Sequence, residues 1–410
     1  MMRLAVIFES SPFDRKGLFN AVHNRVKHLM ATGECTIDVF CVHSRDNAFT
    51  RRVRYTPDVP FVDEVVVDDI RYRLLWYRFS ILDNLLLEKL HVRPWLFRRF
   101  MESHVDLLKG YDAVIAHSFC GGLFALAAHE KFGIPYYVTW HGSDVHTHPW
   151  RVPVILEDTR AVMQSARCNF FVSRALMEAS ERITSANDVL PVSSGDTGGS
   201  PARRRVTSGV SPVRKEVLYN GVSEDFVKYP PEDRAAVRER YGLAPEDKVV
   251  AFVGNLSAVK NVLTLPEIFT SLGSQYEGKL HFVIAGDGKL RRPLEAAFDM
   301  PVTFLGNVSS DDMPALMNCV DVLVLPSLNE GLPLVCAEAL RCGANVVGSD
   351  VGGIAEVIGR ENVVPLGDGF VERIASRIVE MLTGGIVQQL PSDISWSRTA
   401  ARELEIISVC

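Results

Sequence analysis

Apolar residues run along this chain in short unbroken blocks rather than in strict alternation. RLAVIF (3–8), IDVFCV (37–42), DEVVVD (63–68), DAVIAH (112–117), YYVTW (136–140) and CNFFVS (168–173) form one series. KVVAFVG (248–254), KLHFVIAG (279–286), VTFLG (302–306), DVLVLP (321–326), NVVGS (345–349) and NVVPL (362–366) form a second. Blocks of this length, rich in Val and Ile, suit strands buried on both faces of a parallel sheet. Segments with helical spacing separate them, such as LFNAVHNRVKHLMATG (18–33) and DDMPALMNCV (311–320). Strand–helix alternation occurring twice predicts an α/β protein with two Rossmann-like, doubly wound parallel-sheet domains.

The seam between the series is the segment 184–215, rich in Ser, Gly, Pro and Arg and poor in aliphatic residues. Such a composition buries too little surface to offset chain entropy, so a disordered insertion is expected there. The boundaries that follow are an N-terminal domain over 1–215 and a C-terminal domain over 216–390. EVLYNGVSEDF (216–226) supplies a strand, a turn and the hinge. Residues 391–410 hold an amphipathic helix expected to pack back on the N-terminal domain. A chain of 410 residues is also too long for one ordinary core.

Charge and cysteine usage narrow the class. With 44 basic and 50 acidic residues the net charge is -6, which argues against a nucleic-acid binder; any anion site must be local. The eight cysteines form no C-x-x-C pair and several sit in apolar runs, so buried free thiols in a reducing compartment are expected. The first apolar run ends at Glu9, and no stretch approaches the length of a spanning helix. A cytoplasmic protein is the expectation, with no metal and no cofactor.

Ligands of parallel sheets bind beyond the carboxyl ends of strands, near helix N-termini. In the second series, VAFVGNLSAVKN places Gly254 and Asn255 just after a strand and Lys260 six residues beyond the glycine. There the backbone can approach a ligand and a cation can meet a phosphate. FVIAGDGK ends a strand on the tight turn Gly286-Asp287-Gly288. PSLNEGLPLVCAEALRCG (326–343) puts Glu330 in a loop, Pro333 in the first turn of a helix, and Gly343 at its end. Glu338 then falls within the first two turns, among Val335, Cys336, Ala337, Ala339 and Leu340. The amides of Gly331, Leu332 and Leu334 leave the helix start as an anion cradle, with a carboxylate on either side that can accept from vicinal diols. A diphosphate with a ribose at one end and a hexose at the other fits this order. Spacing alone also allows a solvent-facing lysine, a surface glutamate and a helical salt bridge.

In the first series His141 and Gly142 follow a buried strand, and Ser143 or Asp144 could cap a helix there. Gly17 lies between a strand and a helix. The segment 70–104 interleaves arginines (Arg71, Arg73, Arg78, Arg93, Arg98, Arg99) with Tyr72, Trp76, Trp95, Phe97 and Phe100. It reads either as a surface for anionic lipid or as two helices burying their aromatics.

The spacing from Glu330 to Glu338 resembles the paired-glutamate signature of retaining nucleotide-sugar glycosyltransferases of family 4, which have the GT-B fold. ANVVGSDVGGIAEVI (344–358), IAGDG (284–288), FLGNV (304–308), YNGVS (219–223) and FVSRAL (171–176) are similar to that family too. The resemblance implies that Glu338 binds ribose hydroxyls and that Glu330 contacts the donor sugar. It implies that the amides from Gly331 to Leu334 cradle sugar and phosphate, that Lys260 neutralises the leaving diphosphate, and that 306–313 flanks the base. It places His141 at the donor sugar and Gly17 on the acceptor side. Two departures stand out: Asn255 occupies the place of the family's usual arginine, and Lys16-Gly17 only partly matches its glycine pair. The expected activity is sugar transfer from a nucleoside-diphosphate sugar to a glycan or lipid-linked acceptor, in envelope or capsular polysaccharide synthesis. The rival readings are a GT-B nucleotide-sugar epimerase, a glycosidase with paired carboxylates, and a non-catalytic nucleotide-sugar-binding assembly subunit.

Overall fold

The computed structural model describes residues 1–13, 17–45, 59–78, 81–185, 213–244 and 246–409, with only the backbone at 84. Most of the segment read as an insertion, and Lys16, lie outside the described residues. The chain divides into two compact units. One comprises Met1–Leu218 with Ser397–Cys410, the other Tyr219–Trp396.

The first unit is built on one sheet. Its strands among the described residues are β1 (Met2–Glu9), β2 (Cys35–Arg45), β3 (Glu64–Val67), β4 (Ile70–Arg78), β5 (Ala113–His117), β6 (Tyr136–Trp140), β7 (Cys168–Phe171) and β8 (Lys215–Val217). Their order is β3-β4-β2-β1-β5-β6-β7-β8. Every pair is parallel except β3 with β4, an antiparallel edge. The order turns back on itself between β1 and β5, so the loops that leave these two strands border one crevice.

The second unit has β9 (Lys248–Val253), β10 (Leu280–Ala285), β11 (Thr303–Gly306), β12 (Val322–Leu325), β13 (Asn345–Ser349) and β14 (Val363–Val364). All are parallel, in the order β11-β10-β9-β12-β13-β14, with the turn-back between β9 and β12. β9 and β12 are buried nearly throughout, as their unbroken apolar runs require.

Two differences from the sequence reading have clear causes. Residues 70–78 form a strand, not the start of a helix pair. Ile70, Tyr72 and Leu74 face the core while Arg71 and Arg73 face out, a period of two that only a strand can satisfy. The helices of that segment begin later, at Ile81–Leu90 and Trp95–His104. The start of EVLYNG is the last strand of the first sheet rather than the opening of the second unit. β8 pairs with β7, and the Leu218 amide donates to the Phe171 carbonyl at 2.8 Å.

The chain's last helix, Trp396–Val409, joins the first unit. Ala400, Leu404, Ile406 and Ile407 enter a core that includes Phe8, Phe19, Val22, Val26 and Phe170.

Candidate active site

The turn-back between β9 and β12 gathers most of the predicted donor residues. Gly254 follows β9 and its carbonyl faces Gly286, the residue after β10. A Cβ on Gly286 would sit 1.9 Å from that oxygen, so the two loops meet backbone to backbone. Asn255 is exposed, with its amide oxygen over the Gly288 turn. The next residues form a short 3-10 turn, Ala258–Lys260.

Lys260 and Glu330 are in direct contact. Nζ lies 2.5 Å from Oε1, and the two side chains are 22% and 9% exposed. The same oxygen accepts from Ser327 Oγ at 2.7 Å. The loops carrying them are tied by the Leu328 amide donating to the Val259 carbonyl at 2.8 Å. From behind, Ser349 Oγ donates to the Ser327 carbonyl, and the Gly353 amide donates to Gly331 at 3.0 Å. A Cβ on Gly352 would stand 1.9 Å from the Glu330 carbonyl oxygen, so only glycine permits this bracing. The spacing in the sequence did not reveal the pair; the register of β9 beside β12 creates it.

The helix after this loop is Leu334–Arg341, and Pro333 stands one position before it rather than in its first turn. Gly343 adopts a left-handed conformation just past the end and donates to the Leu340 carbonyl, closing the helix. The amides of Gly331 and Leu332 donate to no acceptor among the described residues. Glu338 is half-buried and its carboxylate has no partner among the described residues. Burial is the cause that pushes it up to about 7. The helix start therefore combines open amides, a lysine paired with a carboxylate, and a second carboxylate without a donor. Such a set can take phosphate oxygens at the amides and lysine and hydroxyl groups at the carboxylates. A separate cavity of about 450 Å³ lies beside it, lined by Asn261, Thr264, Leu328, Leu366, Phe370 and Glu372, and holds none of the predicted residues.

In the first unit Gly17 immediately precedes the helix Leu18–Ala31, on the loop after β1. His141 leaves β6 with its backbone amide on Asp144, whose carboxylate also accepts from Gly142 at 2.8 Å. Asp144 thus braces the turn before the short helix Ser143–His146 rather than capping it through its own position. Burial raises the Asp144 carboxyl above its ordinary range, partly offset by those amides.

His141 has a partner that sequence reasoning missed. His117, the last residue of β5, places Nδ1 3.0 Å from His141 Nε2. Burial, then the charge of Arg25, holds His141 down at about 3; burial and His141 hold His117 far below its ordinary range. Ser118, next in the chain, has φ 62, an uncommon conformation for a serine, at the turn from β5 into the helix Ser118–Phe132. A histidine ending the buried block DAVIAH was the available signal.

Other chemistries find less support in the side chains. All seven described cysteines are buried, and burial pushes thiols such as Cys41 up to about 12, so none is a ready nucleophile. No group of three or more metal-capable side chains occurs among the described residues.

Known proteins agree with this layout. Residues 17–194 match the "Glycosyl transferase 4-like domain" and residues 247–384 match "Glycosyl transferases group 1". The chain belongs to the family-4, GT-B glycosyltransferases. It is 33% identical over 156 residues to D-inositol 3-phosphate glycosyltransferase of Mycobacterium tuberculosis, covering 36% of this chain and 31% of that relative. The chain thus aligns with about a third of those curated relatives' length. Sucrose-phosphate synthase from Thermosynechococcus elongatus superposes with a TM-score of 0.66 at 18% identity, covering 100% of this chain and 94% of that one. Anabaena Alr3699/HepE, solved in complex with UDP and glucose, superposes with a TM-score of 0.62 at 16% identity, covering 99% and 96%.

Proposed function

We propose that this glycosyltransferase moves a sugar from a nucleoside-diphosphate sugar to a glycan or lipid-linked acceptor with retention of configuration. The observation that carries the reading is the helix start at Leu334. The Lys260–Glu330 pair, the open amides and the unpartnered Glu338 occur there in the order in which a nucleotide sugar presents sugar, diphosphate and ribose. The diphosphate lies on the amides of Gly331 and Leu332 and draws Lys260 toward it. Glu330, relieved of part of that contact, accepts from donor-sugar hydroxyls, and Glu338 accepts from the ribose. The acceptor hydroxyl oxygen bonds to the anomeric carbon on the face the diphosphate leaves. The bond from that carbon to the phosphate oxygen breaks, and the acceptor's proton passes to the departing diphosphate. Lys260 and the amides stabilise the charge that develops on it. His141, held neutral, hydrogen-bonds a sugar hydroxyl without adding positive charge near a carbon that is itself becoming positive. Asn255 supplies no charge where the family resemblance implies an arginine, so Lys260 bears more of the load.

The acceptor reading rests on the helices Ile81–Leu90 and Trp95–His104. Leu82, Leu85, Leu90, Val92 and Trp95 are more than half exposed, with Lys89 and Arg99 on the same stretch. Such a face suits an anionic membrane surface that presents a lipid-linked acceptor, in envelope or capsular polysaccharide synthesis. No described helix is long and apolar enough to cross a membrane.

The test is thermal-shift binding of nucleoside diphosphates and their sugars, with UDP-sugars first because HepE was solved with UDP. Wild type is compared with Lys260→Ala and Glu338→Ala. Stabilisation by one nucleotide at about 100 times its Kd is worth roughly 2.7 kcal/mol. Both variants should lose most of it, and product should form with the same donor. Binding without turnover across acceptors turns the weight to a non-catalytic assembly subunit; no binding at all overturns the site.

A further inference from the structure

Below His117 and His141 lies a buried charge that the proposed reaction does not use. Arg25, on the helix Leu18–Ala31, is 1% exposed, and Glu403, on the C-terminal helix, is fully buried. Arg25 Nε donates to Glu403 Oε2 at 2.6 Å, but the contact is one-armed. Both terminal nitrogens of Arg25 and the other oxygen of Glu403 have no hydrogen-bond partner among the described residues. A structural staple would take the two-armed form, in which both acceptor oxygens are filled and the charge is better neutralised.

The position of this charge follows from strand register. His117, Thr139 and Phe170 are direct neighbours across β5, β6 and β7, so they share one row and one face of the sheet. The Arg25 guanidinium carbon is 5.8 Å from the centre of the Phe170 ring, at one end of the row. Phe8 closes the other end, with its ring 6.5 Å from that of His117. Thr139 Oγ1, in the middle, is also buried without a partner. Three strands thus set a fixed cation and an imidazole two positions apart along a buried row, where a charge is felt more strongly than in water.

We propose that Arg25, seated by Glu403, is a positioning residue for His141: its charge, added to the burial of both rings, keeps the His117–His141 pair uncharged and sharing one proton through the Nδ1···Nε2 contact. A second cation beside Arg25 is penalised, so neither ring takes an extra proton. The charge that reaches the pair from the helices is that of Arg25, with Glu403 behind it, and Asp144 accepts from the His141 amide. Asp144 would favour protonation, and Arg25 opposes it. The consequence is a coupled pair: with one nitrogen of each ring committed to the other and neither ring cationic, the sense of the free nitrogen of His141 follows from which ring holds the shared proton. The catalytic meaning rests on the transferase reading; the electrostatic coupling does not.

NMR titration of isotope-labelled histidine side chains, without substrate, separates the two. In wild type the His117 and His141 rings should stay neutral down to about pH 5. In Arg25→Met/Glu403→Leu, which removes both charges together, their midpoints should rise by about one to two pH units. Arg25→Lys should stay near wild type. Glu403→Gln, which leaves the cation uncompensated, should push the midpoints further down, and serves if the double variant does not fold. A purely structural pair would lower the melting temperature and leave the midpoints in place; unmoved midpoints in the folded double variant overturn the proposal. Transfer rates against pH form the second readout. The double variant should lose activity on the acid side, where wild type does not. Shifted midpoints with no turnover on any donor would sink the transferase reading while the coupling stands.

Discussion

At the scale of single residues, Glu338 carries two opposite consequences of one environment. Burial raises its carboxyl from an ordinary 4.5 to about 7. The folded form therefore holds a proton that the unfolded chain has already lost between these values. Stability falls as pH rises through this window, and the cost is complete above about 7. Glu338→Gln removes the charge without changing the shape. The variant should match wild type near pH 4.5 and be more stable at pH 8, by about 1–2 kcal/mol once the half-exposed position is allowed for. Nucleotide affinity should move the other way. Ribose hydroxyls donate best to the charged carboxylate, so wild-type binding should strengthen from pH 6 to pH 8 and the variant should bind weakly and evenly. Denaturant melts and titration calorimetry at the two pH values check both signs; a variant that is less stable at pH 8 would show that Glu338 has a donor in the free protein.

At the scale of elements, the exposed stretch between 81 and 99 makes the sharpest prediction. Its aromatics divide by function: Phe97 and Phe100 pack edge-on against Phe124, while Trp95 stays 59% exposed with Arg99 5.5 Å from its ring. If this face meets lipid, Leu82→Glu/Trp95→Glu should cut partitioning onto vesicles with anionic lipid by at least about tenfold, since each large apolar side chain contributes roughly 1.5–3 kcal/mol when buried. Folding should be unaffected because neither residue supports the core. Equal sedimentation of wild type and variant with such vesicles would remove the membrane from the reading. The same stretch shows what the sequence conveys and what it withholds. Central strands such as β9 and β12 were legible because burial on both faces leaves one long apolar run. β4 was hidden because an edge position lets arginines alternate with core residues, which imitates an amphipathic surface. In the candidate site, the loop positions of Lys260 and Glu330 after their strands and the helical position of Glu338 were legible. The Lys260–Glu330 contact, the His117 partner and the Arg25–Glu403 pair were not. Each depends on the register between segments that lie 24 to 378 residues apart in the chain.

At the scale of the whole molecule, the first unit is not finished until the last residues of the chain are made. Its sheet ends at Val217, but its core takes Ala400, Leu404, Ile406 and Ile407 from a helix that follows the entire second unit. The second unit, Tyr219–Trp396, includes only the first residue of that helix. A chain ending at 396 should therefore fail unevenly. The first unit would lose the burial of several aliphatic side chains. It would also keep a buried Arg25 without its carboxylate, and stranding one member of a buried ion pair costs about 3–5 kcal/mol on its own. That sum is of the order of a domain's whole stability. The second unit should stay folded and still gain protection from a bound nucleotide. Limited proteolysis with mass spectrometry reads both at once. Cleavage should spread through 1–218, while 219–396 should resist, more so with nucleotide. Supplying residues 397–410 as a separate peptide should restore protection to the first unit, and a peptide with Glu403→Leu should restore less of it. A first unit that resists the protease equally well without the helix would mean its core closes alone, and the return of the chain would then need another explanation than stability.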